Sequence, residues 1–117
     1  MDTKSKYLKF VNKLVDVIID RPLGSKHPKY GWIYPINYGY IPNTKAEDNL
    51  EIDVYIIDCK KSLEKAKVKI IGVVYRKDDL ESKLIGVTDT TKKYTPTEIY
   101  KKIEFQEQFF NSKIELF

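Results

Sequence analysis

The chain has 117 residues, with 21 Lys and Arg against 17 Asp and Glu, a formal charge of +4, one Cys and one His. That is the size of one small domain, expected to span 1–117 with one core and one site. The lone Cys59 closes no intrachain disulfide, no apolar run approaches the ~20 residues of a membrane span, and no basic-then-apolar leader occupies Met1 to Phe10. Secreted, disulfide-stapled and transmembrane classes are set aside, and a cytoplasmic protein is expected.

Taken in order, the chain begins with a basic block, Lys4, Lys6, Lys9 and Lys13. Leu14 to Asp20 then alternates, Val15, Val17 and Ile19 on one face and Asp16, Ile18 and Asp20 on the other, which predicts a strand. Two prolines and a glycine make 21–28 turn-rich. Tyr34 to Tyr40 is extended and sets Tyr34, Ile36, Tyr38 and Tyr40 on one side. Ile52 to Asp58, Val68 to Tyr75 and Lys83 to Thr88 are β-branched segments of strand length. Five strands in so short a stretch predict a small five-stranded barrel in a mainly β fold. One C-terminal helix is expected to start after Thr95, because Thr95-Pro96-Thr97-Glu98 combines an N-cap, a first-position proline and a capping-box glutamate. Its apolar stripe is Ile99, Ile103, Gln106 and Phe110, and Asn111 is the expected left-handed C-cap.

The charge is uneven. Residues 59–77 are again basic, while between the two basic blocks residues 41–58 set Glu47, Asp48, Glu51, Asp53 and Asp58 against Lys45 alone. Crowding carboxylates in a basic protein costs repulsion unless cations sit among them. All-oxygen donor sets suit hard ions, so the segment reads either as a solvated acidic loop or as a site for Mg²⁺, with Mn²⁺ as a substitute. Because Ile52, Val54 and Ile56 form one apolar face, Asp53 points the other way, beside Tyr55. The hairpin Arg76 to Lys83 is a charged turn that matters only if the fold brings it to Asp48 and Asp53. The tyrosine stripe is either the edge of the core or, with Lys29, a set of hydrogen-bond donors for phosphate. His27 reads as structural or phosphate-contacting, and Cys59 as a buried or inert thiol.

Tyr34-Pro35-x-Asn37-Tyr38-Gly39-Tyr40, followed by Asp48 and Asp53-Val54, resembles the family I soluble inorganic pyrophosphatases, whose YPxNYGY leads into DxDxxDV on an OB-type barrel. Ile19 to Pro22, Lys29-Tyr30, Asp78 to Lys83 and residues 98–110 extend the resemblance. It implies Asp48, Asp53, Asp78 and Glu81 as metal ligands, and Lys29, Tyr34, Tyr38 and Lys83 as phosphate contacts. Asp20 takes the place of an outer glutamate. Three departures stand out. Leu50 occupies the position of the family aspartate that bridges metals and helps deprotonate the attacking water, leaving Glu51 as its nearest substitute. Only Gly31-Trp32-Ile33 remains where the family has a hairpin with a phosphate-binding arginine. Phe109-Phe110 stands in place of Tyr-Lys.

The expected activity is Mg²⁺-dependent hydrolysis of pyrophosphate or a related phosphoanhydride, with Glu51 and Asp53 as the catalytic carboxylates and an assembly of identical chains implied by the resemblance. The alternative is a catalytically impaired OB-type module binding phosphate, metal or nucleic acid. The acidic 41–58 block weighs against nucleic acid, since it would repel a polyanion.

Overall fold

The computed structural model describes residues 5–46, 49–77 and 82–117. Among them, β1 (Leu14–Arg21), β2 (Asn37–Ile41), β3 (Ile52–Ile56), β4 (Lys65–Arg76), β5 (Ser82–Val87) and β6 (Ser112–Leu116) form one sheet in the order β1-β2-β3-β5-β4-β6. β1 also pairs with the first part of β4, Leu14 opposite Lys69 through Ile18 opposite Lys65, so β1 to β5 close into a barrel. Closure leaves these five strands without an open edge. β3 and β5 run parallel, and the other pairs are antiparallel. This is the mainly β, five-stranded OB-type barrel with a C-terminal helix expected from the sequence, extended by β6. Among the described residues no helix is long and apolar enough to cross a membrane.

Strand alternation splits the apolar residues into two cores. Val17, Ile19, Ile52, Val54, Ile56, Val68, Ile70, Val73 and Leu84 fill the barrel, and the fully buried Tyr7 of the short helix α1 (Ser5–Leu8) packs against them. Tyr34, Tyr38, Tyr55, Val74 and Ile85 face outward, beneath Ile99 and Ile103 of α2 (Pro96–Glu107). Burying a Leu or Ile side chain is worth about 1.5–3 kcal/mol, so both cores contribute to holding the sheet. β4 takes part in both because its pairing with β5 slips between Ile70 and Gly72. Ile70 and Val73 point into the barrel on either side of that bulge, and Val74 and Arg76 point out. Without the extra residue, the alternation would aim Arg76 at the barrel interior.

Gly39 explains part of the tyrosine-rich motif. A Cβ there would lie 2.0 Å from the Ile18 carbonyl oxygen, so only glycine lets β2 approach β1 this closely. Asn37, fully buried, joins two loops: its Oδ1 accepts from the Leu23 and Leu63 N–H groups at 2.9 and 3.1 Å, and its Nδ2 donates to the Lys61 carbonyl at 2.8 Å.

Several boundaries differ from expectation. β2 begins at Asn37, because the Tyr34 N–H and C=O bond instead to the loop at Ser25 and Gly24 and Pro35 has no N–H to give. The capping box forms as expected: Glu98 N–H donates to Thr95 Oγ1 at 3.2 Å and Thr95 N–H to Glu98 Oε1 at 2.9 Å. α2 nevertheless ends at Glu107 with a right-handed cap at Gln108, before Phe110. The left-handed asparagines are Asn12, Asn43 and Asn49, and Asn111 is not among them. The Asn111 carbonyl accepts from the Lys77 N–H at 2.7 Å, which starts the β4–β6 pairing. The C-terminal apolar residues thus include an added strand, Ile114 opposite Val74 and Leu116 opposite Gly72. Cys59 is half-buried against the barrel core.

Candidate active site

On β3 the residues that do not enter the barrel are Asp53 and Tyr55, and on β5 the corresponding outward residue is Lys83. Parallel pairing of β3 with β5 brings Lys83 Nζ to 2.7 Å from Asp53 Oδ2, and antiparallel pairing with β2 brings the Tyr38 hydroxyl to 2.8 Å from the same oxygen. Lys83 is nearly fully buried, and its ammonium also lies 5.4 Å from the centre of the Tyr38 ring. The Asp53 carboxylate, about a quarter exposed, is held at one oxygen by a cation and a phenol and opens toward a cavity of about 510 Å³.

That cavity collects side chains from distant parts of the sequence. Asp20 and Arg21 come from the end of β1, Glu51 and Leu50 from the turn into β3, Arg76 from the end of β4, and Gln106 and Phe110 from α2 and its exit. The β1–β2 register slips between Ile19 and Arg21, which turns this end of β1 toward the tyrosines. Burial raises the Asp20 carboxyl above its ordinary value; the nearby Arg21 opposes this, and Asp53 and Glu51 add to it. Asp20 therefore lies within electrostatic reach of the other two acids of the cavity. Glu51 precedes β3, so it is free of strand alternation and lines the same cavity as Asp53. Leu50 lies there too, 64% exposed, with no oxygen to offer.

Behind the cavity lies a buried polar chain. The Tyr34 hydroxyl donates to Gln106 Oε1 at 3.4 Å, Gln106 Nε2 donates to the Tyr55 hydroxyl at 2.7 Å, and Tyr55 donates to Glu107 Oε2 at 2.5 Å. Arg76 grips Glu107 in a two-pronged ion pair, Nε to Oε1 at 3.1 Å and Nη2 to Oε2 at 2.6 Å, and Ser112 Oγ donates to Oε1 at 2.6 Å. Burial pushes the Glu107 carboxyl up, but the Arg76, Ser112 and Tyr55 hydrogen bonds outweigh it, so the group sits below its ordinary value and stays ionised. Tyr55, fully buried beside that charge, is held well above the ordinary phenol value and remains a donor. The far side of the Arg76 guanidinium lies 3.7 Å from the centre of the Phe110 ring.

At the cavity mouth His27 Nδ1 accepts from the Lys29 and Tyr30 N–H groups, both at 3.0 Å. Slight burial and the charges of Arg21 and Lys29 lower its proton affinity, leaving a neutral ring packed on Tyr30 and Trp32.

Of the residues expected from the sequence, Asp20, Tyr34, Tyr38, Glu51, Asp53 and Lys83 meet at this one cavity. Lys29 does not line it; its exposed side chain extends over the Tyr30 ring at 5.3 Å. Asp48, Asp78 and Glu81 lie outside the described residues. Among the described residues no three His, Cys, Asp or Glu side chains come close enough together to cage a metal. Asp20, Glu51 and Asp53 are all-oxygen donors of the kind a hard cation takes, though they form only part of a coordination shell. Sequence reasoning missed Arg21, Arg76 and the Tyr55–Gln106–Glu107 chain. Glu107 had a signal, since it stands eight residues after Ile99 on the buried stripe.

The chain is thus an OB-type barrel whose outer face joins carboxylates, buried and half-buried cations and phenols in one cavity. The sequence profile of the inorganic pyrophosphatase family matches residues 3–117, and the chain belongs to that family. It is 35% identical to an inorganic pyrophosphatase of Mycoplasma pneumoniae, over 79% of this chain and 49% of that protein. It is 29% identical to one from Bradyrhizobium diazoefficiens, over 76% and 63%. The chain spans between 44% and 63% of the length of the curated relatives it matches. Its fold is that of the inorganic pyrophosphatase of Ehrlichia chaffeensis, with a TM-score of 0.70 over 91% of this chain and 87% of that one, at 18% identity.

Proposed function

We propose that this chain hydrolyses inorganic pyrophosphate to two phosphates with Mg²⁺ as cofactor, Mn²⁺ serving in its place. The observation that carries this reading is Asp53, shared by Lys83 and Tyr38, opening onto the same cavity as Glu51 and Asp20. Asp53 and Glu51, with Asp48, Asp78 and Glu81 as the resemblance implies, would hold the cation. When bound, a divalent ion there supplies a more acidic water and shields phosphate charge.

The chain's own residues bind and orient the substrate. Lys83 and Arg21 offset phosphate charge, and the Tyr34 and Tyr38 hydroxyls, whose single protons go to Gln106 and Asp53 in the free protein, turn to its oxygens without adding negative charge. The bond from Lys83 to Asp53 fixes the ammonium before substrate arrives, so little reorganisation is needed on binding. Glu51 takes the proton-accepting role that Leu50 cannot fill. Lys29 meets the anion at the mouth rather than inside. The protein works in the cytoplasm as an assembly of identical chains, a state that light scattering measures directly.

The deciding assay follows phosphate release from pyrophosphate with Mg²⁺ in the wild type and in Asp53→Ala. Release that Asp53→Ala abolishes supports the reading, whereas a wild type that releases none leaves the chain a phosphate or metal binder. Mg²⁺ or Mn²⁺ should also raise the melting temperature of the wild type and fail to do so in Asp48→Ala/Asp53→Ala.

A further inference from the structure

Beside the charged cavity runs a second cleft of about 410 Å³, walled by Tyr30, Trp32, Phe109 and Phe110. Tyr30, Trp32 and Phe110 line both spaces, so the cleft and the cavity are continuous. The rings are nearly parallel: Trp32 lies 5.1 Å from Tyr30 at 19° and 5.5 Å from Phe109 at 13°. Tyr30 is 63% exposed and Phe109 64%. Pyrophosphate, which is small and wholly polar, makes no use of an apolar aromatic wall.

We propose that the site takes nucleoside di- or triphosphates, with the base against the Tyr30–Trp32–Phe109 rings and the phosphates in the cavity at Lys83 and Arg21. A nucleotide has the same two parts as this surface, a flat π-system and a polyanion joined by a short link. Both volumes fall within the roughly 300–1,000 Å³ of small-molecule sites. Stacking on aromatic side chains tolerates any base, so the class is set by the presence of a base rather than its identity. The neutral His27 behind Trp32 adds another flat surface without a charge that would compete for the phosphates. The inference rests on the pyrophosphatase reading for where the phosphates lie, and it deepens that reading by naming what the rest of the ligand is.

Trp32 is the one tryptophan of the chain, so intrinsic fluorescence reports on the cleft directly. The wild type is titrated with adenosine triphosphate and with inorganic tripolyphosphate, each with Mg²⁺ and with chelator. The nucleotide should bind at least about ten-fold more tightly than tripolyphosphate, the order of one base–aromatic stack, and quench Trp32. Phe109→Ala and Tyr30→Ala should each cut that preference to less than about three-fold, and Tyr30→Phe, which keeps the ring, should retain it. Both positions are exposed, and thermal melts check that the variants fold. Equal affinity of the wild type for the two ligands overturns the proposal. So does a loss in Phe109→Ala that is the same for both, or a change in mass by light scattering that shows the cleft to be an interface between copies. Absent phosphate release from pyrophosphate, with the nucleotide preference intact, sinks the hydrolase reading alone; release without the preference sinks the nucleotide alone.

Discussion

Along β3 and β5, alternate residues belong to two different regions. Val54, Ile56 and Leu84 point into the barrel among apolar neighbours, and one position away Asp53 and Lys83 point out into a cavity that holds carboxylates, cations and phenols, with Tyr55 buried behind it. The barrel interior places the strands; the outer face uses that placement to bring Asp53, Tyr38 and Lys83 within hydrogen-bond distance. Stability and chemistry should therefore separate by parity along a single strand. The outer face is itself divided, since Glu107 and Arg76 are held in a buried ion pair while the Asp53 carboxylate is about a quarter exposed.

The largest effect is expected from Leu84→Ala, which empties a fully buried barrel position. Unfolding in urea should show a loss of about 2–5 kcal/mol, with phosphate release per folded molecule little changed. Its neighbour across the parity divide, Asp53→Asn, should lower phosphate release by about 10²–10³-fold, the size of losing one preorganised charged group, while the protein stays folded. If these two variants fail to separate stability from activity, the division by parity is wrong.

Next comes Glu107→Gln, which leaves the buried Arg76 without its carboxylate and should cost about 3 kcal/mol in a denaturant melt. Its pH dependence has a definite sign. The folded value of Glu107 lies below the ordinary 4.5, so its contribution is complete above about pH 4.5 and fades as pH falls through the lower folded value. Stability measured against pH should drop on the acid side in the wild type and be flatter there in Glu107→Gln. The smallest effect is Thr95→Ala, which removes the capping box of α2 and should cost about 1 kcal/mol by thermal melting. Because α2 covers only the outer core, this loss tests how strongly the helix supports the cavity.

Much of this was legible in the chain. Strand alternation identified which of Ile52, Asp53 and Val54 face inward, and the spacing of Thr95, Pro96 and Glu98 marked the start of α2, since both signals act between near neighbours. Asp53, Tyr38 and Lys83 were recognisable through resemblance. Arg76 was not, because a bulge reverses the alternation of β4 and its one local cue in Ile70-Ile71-Gly72-Val73 is the glycine inside the strand. Phe110 and Asn111 were assigned to the helix and its cap on periodicity; the backbone instead joins β4 through Lys77, a partner more than thirty residues away. Asn37 could be assigned a face but not a task, because the three backbone groups it satisfies come from Leu23, Lys61 and Leu63.

The sequence by itself determined a small, mainly β chain of +4 charge with an acidic block between basic ones, and with it the family, because composition, alternation and short motifs are properties of adjacent residues. The tertiary structure decided where those charges meet. Three acids from β1, β3 and the turn into β3, Lys83 from β5 and the arginines ending β1 and β4 share one cavity only because the barrel closes and two bulges turn strand ends outward. Likewise, Phe109 stands more than seventy residues from Tyr30 and Trp32, and only packing of the α2 exit against the 27–33 loop stacks it on Trp32. Contacts at that range depend on register and closure, which no local pattern encodes.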